Sequence, residues 1–127
     1  MAIFEPKSAN YTNIRDVIPA TAVSKGDPAI RQDRFGFYIK DREEVGEEIT
    51  FIIQMEMVEA AKRIGSGEAI ISGDKLYYYP ATENVSPTPT GAYGTDYYYC
   101  GTAIESAGAS ATTVLMKFDG TRYNENI

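Results

Sequence analysis

The residues with chemical potential in this chain are carboxylates, one thiol and a set of tyrosines. The adjacent pairs Glu43-Glu44 and Glu47-Glu48 could suggest acid–base work. Hydrolysis of a glycoside needs two carboxylates facing each other across a cleft, and neighbours in a turn do not supply that. These pairs read as exposed charge flanking a strand. Asp27 and Asp74 each follow a glycine in matching turns, where a carboxylate bonds its own backbone. Histidine is absent, which removes the commonest general base and metal ligand. The single cysteine, Cys100, has no basic neighbour and sits in a tyrosine-rich strand, so it reads as a buried, inert thiol. Gly65-Ser66-Gly67-Glu68 is glycine-rich but follows an expected helix, whereas a phosphate loop precedes one. No catalytic residue, metal ligand or cofactor site is expected.

The tyrosines carry more information. Six of the ten lie in two triplets, Tyr77-Tyr78-Tyr79 and Tyr97-Tyr98-Tyr99. Strand neighbours point to opposite faces, so each triplet places rings on both sides of a sheet. One side fills a core. The other offers stiff amphipathic rings to a neighbouring copy, a protein partner or a glycan.

These groups need a scaffold, and the chain writes one twice. Ser24-Lys25-Gly26-Asp27-Pro28 and Ser72-Gly73-Asp74 are Gly-Asp turns, each before a short apolar run. Each half continues with an apolar-Gly-apolar strand, around Gly36 and Gly101, then a small turn and a β-branched strand. Strands are expected at 35–39, 49–55, 75–79, 97–104 and 112–118. Met57, Ala60, Ala61 and Ile64 repeat at helical spacing and predict a short helix over 57–64. Residues 81–95, rich in Thr, Pro and Gly, read as a long outward loop. The fold class is therefore all-β with one short helix. Residues 1–23 form an extended N-terminal arm, 24–118 a small barrel-like domain with a pseudo-repeated half, and 119–127 a polar tail.

Length and charge bound the rest. The 127 residues suit one domain, and 43% hydrophobic content supports a packed core. Twelve basic against eighteen acidic residues give a net charge of −6, which opposes binding to nucleic acid. No apolar run approaches membrane-spanning length and no signal pattern opens the chain, so a soluble protein made in the cytoplasm is expected.

The order of Gly26-Asp27-Pro28, Gly46-Glu47, Ala60-Ala61-Lys62, Gly73-Asp74, Tyr77 and Gly101-Thr102-Ala103 resembles a family of small phage proteins. These were long filed as domains of unknown function and sometimes mislabelled as recombinases. They act as capsid decoration, or cement, proteins. The resemblance implies a β-barrel or β-tulip-like fold akin to lambda-type head decoration proteins, a homotrimer on the exterior of the virion, and the major capsid protein as partner. The tyrosine-rich strands and the 81–95 loop leave a glycan- or host-surface-binding module as the alternative. On the arm, Ile3, Phe4, Tyr11, Ile14, Val17 and Ile18 are the candidates for capsid contact. Tyr78, Tyr98, Leu115 and Lys117 are the candidates for contact between copies. Gly26, Asp27, Pro28, Gly73, Asp74 and Gly101 are read as structural turn residues.

Overall fold

A computed structural model describes residues 3–8, 10–16, 24–31, 34–39, 49–88 and 97–120. Among the described residues, nine strands form one curled antiparallel sheet. They are β1 (Phe4–Pro6), β2 (Tyr11–Asp16), β3 (Pro28–Arg31), β4 (Arg34–Tyr38), β5 (Ile49–Ala61), β6 (Lys75–Tyr79), β7 (Asn84–Ser86), β8 (Tyr98–Ala103) and β9 (Thr113–Asp119). The expected all-β class is observed.

β5 is the spine. One of its edges pairs with β2 along 49–55 and with β1 along 58–60. The other pairs with β4 at Phe51 and Ile52, then with β9 from Gln54 to Ala61. The sheet runs onward through β9, β8, β6 and β7. It closes on itself where Val85 of β7 bridges Lys62, just past the end of β5, and the Arg63 N–H donates to the Val85 carbonyl at 2.9 Å.

The helix expected over 57–64 is not formed, because residues 57–61 continue β5, paired with β1 on one edge and β9 on the other. A bulge explains the misleading spacing. Three steps along β5, from Met55 to Val58, oppose two along β9, from Phe118 to Met116. The extra residue leaves Glu56 and Met57 both exposed, while Met55, Val58 and Ala60 stay buried. Period two thus becomes a local period of three and imitates a helix. Two of the supposed helix-face residues, Met57 and Ile64, are among the exposed large hydrophobics.

Two further expectations are corrected. The 81–95 loop contains β7, reached by a tight turn in which Thr82 and Glu83 N–H groups both donate to the Tyr79 carbonyl. The tail does not begin at 119. Asp119 ends β9, and Gly120 extends the ladder, donating to the Ile53 carbonyl and accepting from the Phe35 N–H.

The repeat is physical. In the first turn the Asp27 carboxylate accepts from the Ser24 N–H at 2.9 Å; in the second, Asp74 accepts from Ile71 at 2.9 Å. Gly26 (φ 86°) and Gly73 (φ 95°) occupy the same left-handed position. Gly26 N–H donates to Tyr38 O and Tyr38 N–H to Asp27 O; Gly73 and Ala103 exchange the same pair of bonds through Asp74. Strand order through the middle of the sheet is β3-β4-β5-β9-β8-β6, and β5 runs antiparallel to β9. That order is a palindrome of the two halves, related by a pseudo-dyad between β5 and β9. Gly73 has open space around its Cβ position, so Gly73→Ala is expected to cost only the strain of a left-handed backbone, about 1 kcal/mol. Asp74→Ala should cost a similar ~1 kcal/mol for its lost hydrogen bond. Thermal melts of the two single variants check both.

The interior is an aromatic cluster. Phe4 lies within 6.1 Å, centroid to centroid, of Phe35, Phe37, Tyr78 and Phe118. Met116, Leu76, Val85 and Cys100 are among the aliphatic and sulfur side chains packed with it. A smaller cluster, Tyr38, Phe51 and Ile53, packs separately. Burial pushes the Cys100 thiol up, away from its reactive form.

Candidate interaction surfaces

The tyrosine triplets divide as strand parity requires. Tyr78 goes inward, stacking on Phe35 at 5.5 Å. Tyr98 also stacks on Phe35, at 5.7 Å, and is half-buried. Tyr77, Tyr79, Tyr97 and Tyr99 form a second group of rings, with centroids 5.4–6.1 Å apart. Tyr79 is fully buried there, and its hydroxyl donates to the Thr88 carbonyl. Of the residues considered for contact between copies, Tyr78 therefore has almost no surface to offer, and burial pushes its phenol up. Tyr98 lines a groove of about 360 Å³ with Pro28, Ile30, Phe35, Tyr78 and Pro80. Leu115 and Lys117 sit on β9 opposite in parity to the buried Val114, Met116 and Phe118, Leu115 half-buried and Lys117 exposed.

The N-terminal residues are integrated into the sheet. Phe4 is fully buried at the hub of the core, and Ile3 packs against that core. Tyr11 is 43% exposed and lines a polar hollow of about 420 Å³ with Asn10, Gln54, Glu56 and Lys117. Ile14 pairs by its backbone with Phe51. Val17 and Ile18 lie outside the described residues, as does the Gly46-Glu47 turn. Gly26, Asp27, Gly73 and Asp74 form the matched turns described above. Pro28 opens β3 opposite Phe37, and Gly101 lies buried in β8 opposite Leu76 and Phe118.

Buried polar groups gather where β7 meets β5. Lys62 is 4% exposed and its Nζ donates to the carbonyls of Arg63, at 2.8 Å, and Ala109. Burial holds its pKa below the ordinary lysine value, with Glu68 pulling in the opposite direction. Ser86 Oγ donates to Glu68 Oε1 at 2.6 Å and accepts from the Thr88 N–H. Lys62, Glu68 and Ser86 thus each have a hydrogen-bond partner in this seam. Among the described residues, no three His, Cys, Asp or Glu side chains gather to hold a metal. Among the described residues, no helix is long and apolar enough to cross a membrane.

Three exposed residues escape a reading by period. Ile64, Ile71 and Ile104 are 58%, 67% and 37% exposed. All lie in the loops at one end of the barrel, where β5 and β8 finish and β6 and β9 begin. The signal available in the sequence was the doublet Ile70-Ile71, of which one member alone is taken by the core.

Among the described residues, this arrangement offers surface for contact and keeps its one thiol buried. Comparison with the known families matches residues 9–118 to the phage cement protein family. No curated protein and no solved structure matches the chain. A match over most of the length, on a barrel of the expected class, places the chain: it belongs to the phage cement protein family.

Proposed function

We propose that this protein is a structural component of the virion that binds the outside of an icosahedral phage capsid and bridges its subunits as a homotrimer. The family match carries the reading. The barrel supports it, because its buried Lys62, Glu68 and Ser86 are hydrogen-bonded internally, which leaves binding to the surface. A ligand of the intact shell alone stabilises that state by mass action against the pressure of packed DNA. Copies that each make several modest contacts gain further through linkage.

In this reading Tyr11 and the edge of β2 facing away from β5 meet the capsid, a geometry suited to strand addition. The outer side of β9, with Leu115 and Lys117, meets neighbouring copies. The major capsid protein is the partner, and neither nucleic acid nor membrane is engaged. Display of a glycan site is the weaker reading, since Tyr77, Tyr97 and Tyr99 are half-buried and pack edge-on against one another.

The test mixes the purified protein with expanded capsids, followed by imaging and a capsid melt. Extra density on the shell exterior at threefold positions and a higher capsid melting temperature are expected. Bare shells with an unchanged melt would overturn the proposal.

A further inference from the structure

The internal repeat lets one half of the molecule serve as a control for the other. Where the two copies differ in residue type or in cover, the shared fold does not fix that difference. Ile71 occupies the place of Ser24 in the other turn, since each donates its N–H to the aspartate three residues on. Ile104 occupies the place of Ile39: their N–H groups donate to Leu115 and Thr50, which are themselves equivalent across the pseudo-dyad. Ile39 is packed against the core, whereas Ile104 is exposed. The scaffold tolerates a serine at the first place and a covered isoleucine at the second. Nothing in the barrel therefore calls for an exposed isoleucine pair at this end.

These side chains are held in place. Ile70 is buried and exchanges two backbone hydrogen bonds with Ala107, which turns Ile71 outward. Ser72 Oγ donates to the Ile104 carbonyl at 2.8 Å, and the Ser72 N–H donates to Ser106 Oγ at 3.1 Å. The two loops are thereby tied, and the surface loses little freedom on docking. The rim around them carries few charges: the half-buried Asp74, whose carboxylate accepts from the Ile71 N–H, and the exposed Lys75 and Glu105. Across residues 64–73 and 104–112 the charged side chains are Glu68, which is buried, and Glu105, in a chain that is 24% charged. An apolar centre depleted of charge is the compositional mark of a protein-binding surface.

We infer that the barrel end carrying Ile71 and Ile104 also seats on the phage shell, against an apolar, uncharged patch of the capsid protein. This rests on the capsid-binding reading above and adds an apolar contact to the one that reading gives to Tyr11 and β2. The favoured occupant is the shell because the family is one of cement proteins and the centre of the patch is apolar, as a protein partner requires.

The experiment compares wild type, Ile71→Asp, Ile71→Ser and the Ile71→Asp/Ile104→Asp double variant for binding to expanded capsids. Melting temperature and oligomeric mass are measured beside it. Binding should weaken at least tenfold in the aspartate variants and less in Ile71→Ser, with mass and melting temperature unchanged. Full binding by the double variant, while wild type also binds, overturns this assignment and leaves the capsid reading standing. Loss of the oligomer in step with loss of binding also overturns it, by giving the patch to a second copy of the chain. A wild-type protein that fails to bind capsids removes both readings.

Discussion

Gly101→Ala is expected to melt far below the parent protein, and Gly36→Ala to follow it. Gly101 lies buried in β8 with φ 144°, a backbone conformation that costs an L-residue about 1–3 kcal/mol. A Cβ there would also overlap the Lys117 carbonyl oxygen and lie 2.8 Å from Met116 Cε. Crowding a packed interior adds roughly 1–3 kcal/mol. The sum, about 4 kcal/mol, is a large share of the stability of a domain of this size. It should lower the melting temperature by roughly 15 °C. Gly36 is its counterpart across the pseudo-dyad. Its Cβ would overlap the Ile52 carbonyl oxygen and press on the Phe51 ring at 2.7 Å. Gly36 lacks the positive φ, so its variant should lose only the crowding share, about 2 kcal/mol. Gly108→Ala is the control, with open space at its Cβ position and no positive φ. Melts of the three variants decide the matter. Gly101→Ala within about 3 °C of the parent would contradict the close approach of β8 to β9 on which this estimate rests.

Both glycines were visible in the sequence as the apolar-Gly-apolar motif of each half, and so were the Gly-Asp turns. These features are legible because they are local: a turn hydrogen bond or a close backbone approach demands a residue type at one position. The parity of the tyrosine triplets was legible for the same reason. Which parity faces inward was not, because the pairing of β6 with β8 and the approach of Phe35 decide it, and both are long-range. The bulge in β5 hid a strand behind helical spacing, since one inserted residue shifts the phase of everything after it. β7 was hidden differently. Three residues are too few to show a period, and Asn84-Val85-Ser86 acquires its strand from β6 on one side and Lys62 on the other. The exposed isoleucines show only when the two turns are superposed in thought, because apolar content alone does not distinguish a core residue from a contact.

The N-terminal residues carry the other large effect. Phe4→Ala is expected to cost about 3–4 kcal/mol, the range for emptying a fully buried aromatic site. The site has little room to collapse, because four other rings surround it and β1 is pinned to β5 through the Phe4 to Ala60 register. A chain beginning at residue 9, where the family match starts, loses β1, Phe4 and the Ile3 carbonyl that accepts from the Ala61 N–H. That chain should lose its cooperative melt and its near-ultraviolet circular dichroism, because the hub of the aromatic cluster opens to water. Truncation is therefore a poor probe of capsid contact: lost binding would report lost structure. Tyr11→Ser avoids the difficulty, since that ring is exposed and its replacement should change stability by less than about 0.5 kcal/mol. Phe4→Ala and the shortened chain are measured against Tyr11→Ser by thermal melt and near-ultraviolet spectra. If the chain starting at residue 9 melts as sharply and as high as the full one, β1 is an ornament on the barrel and not one of its walls.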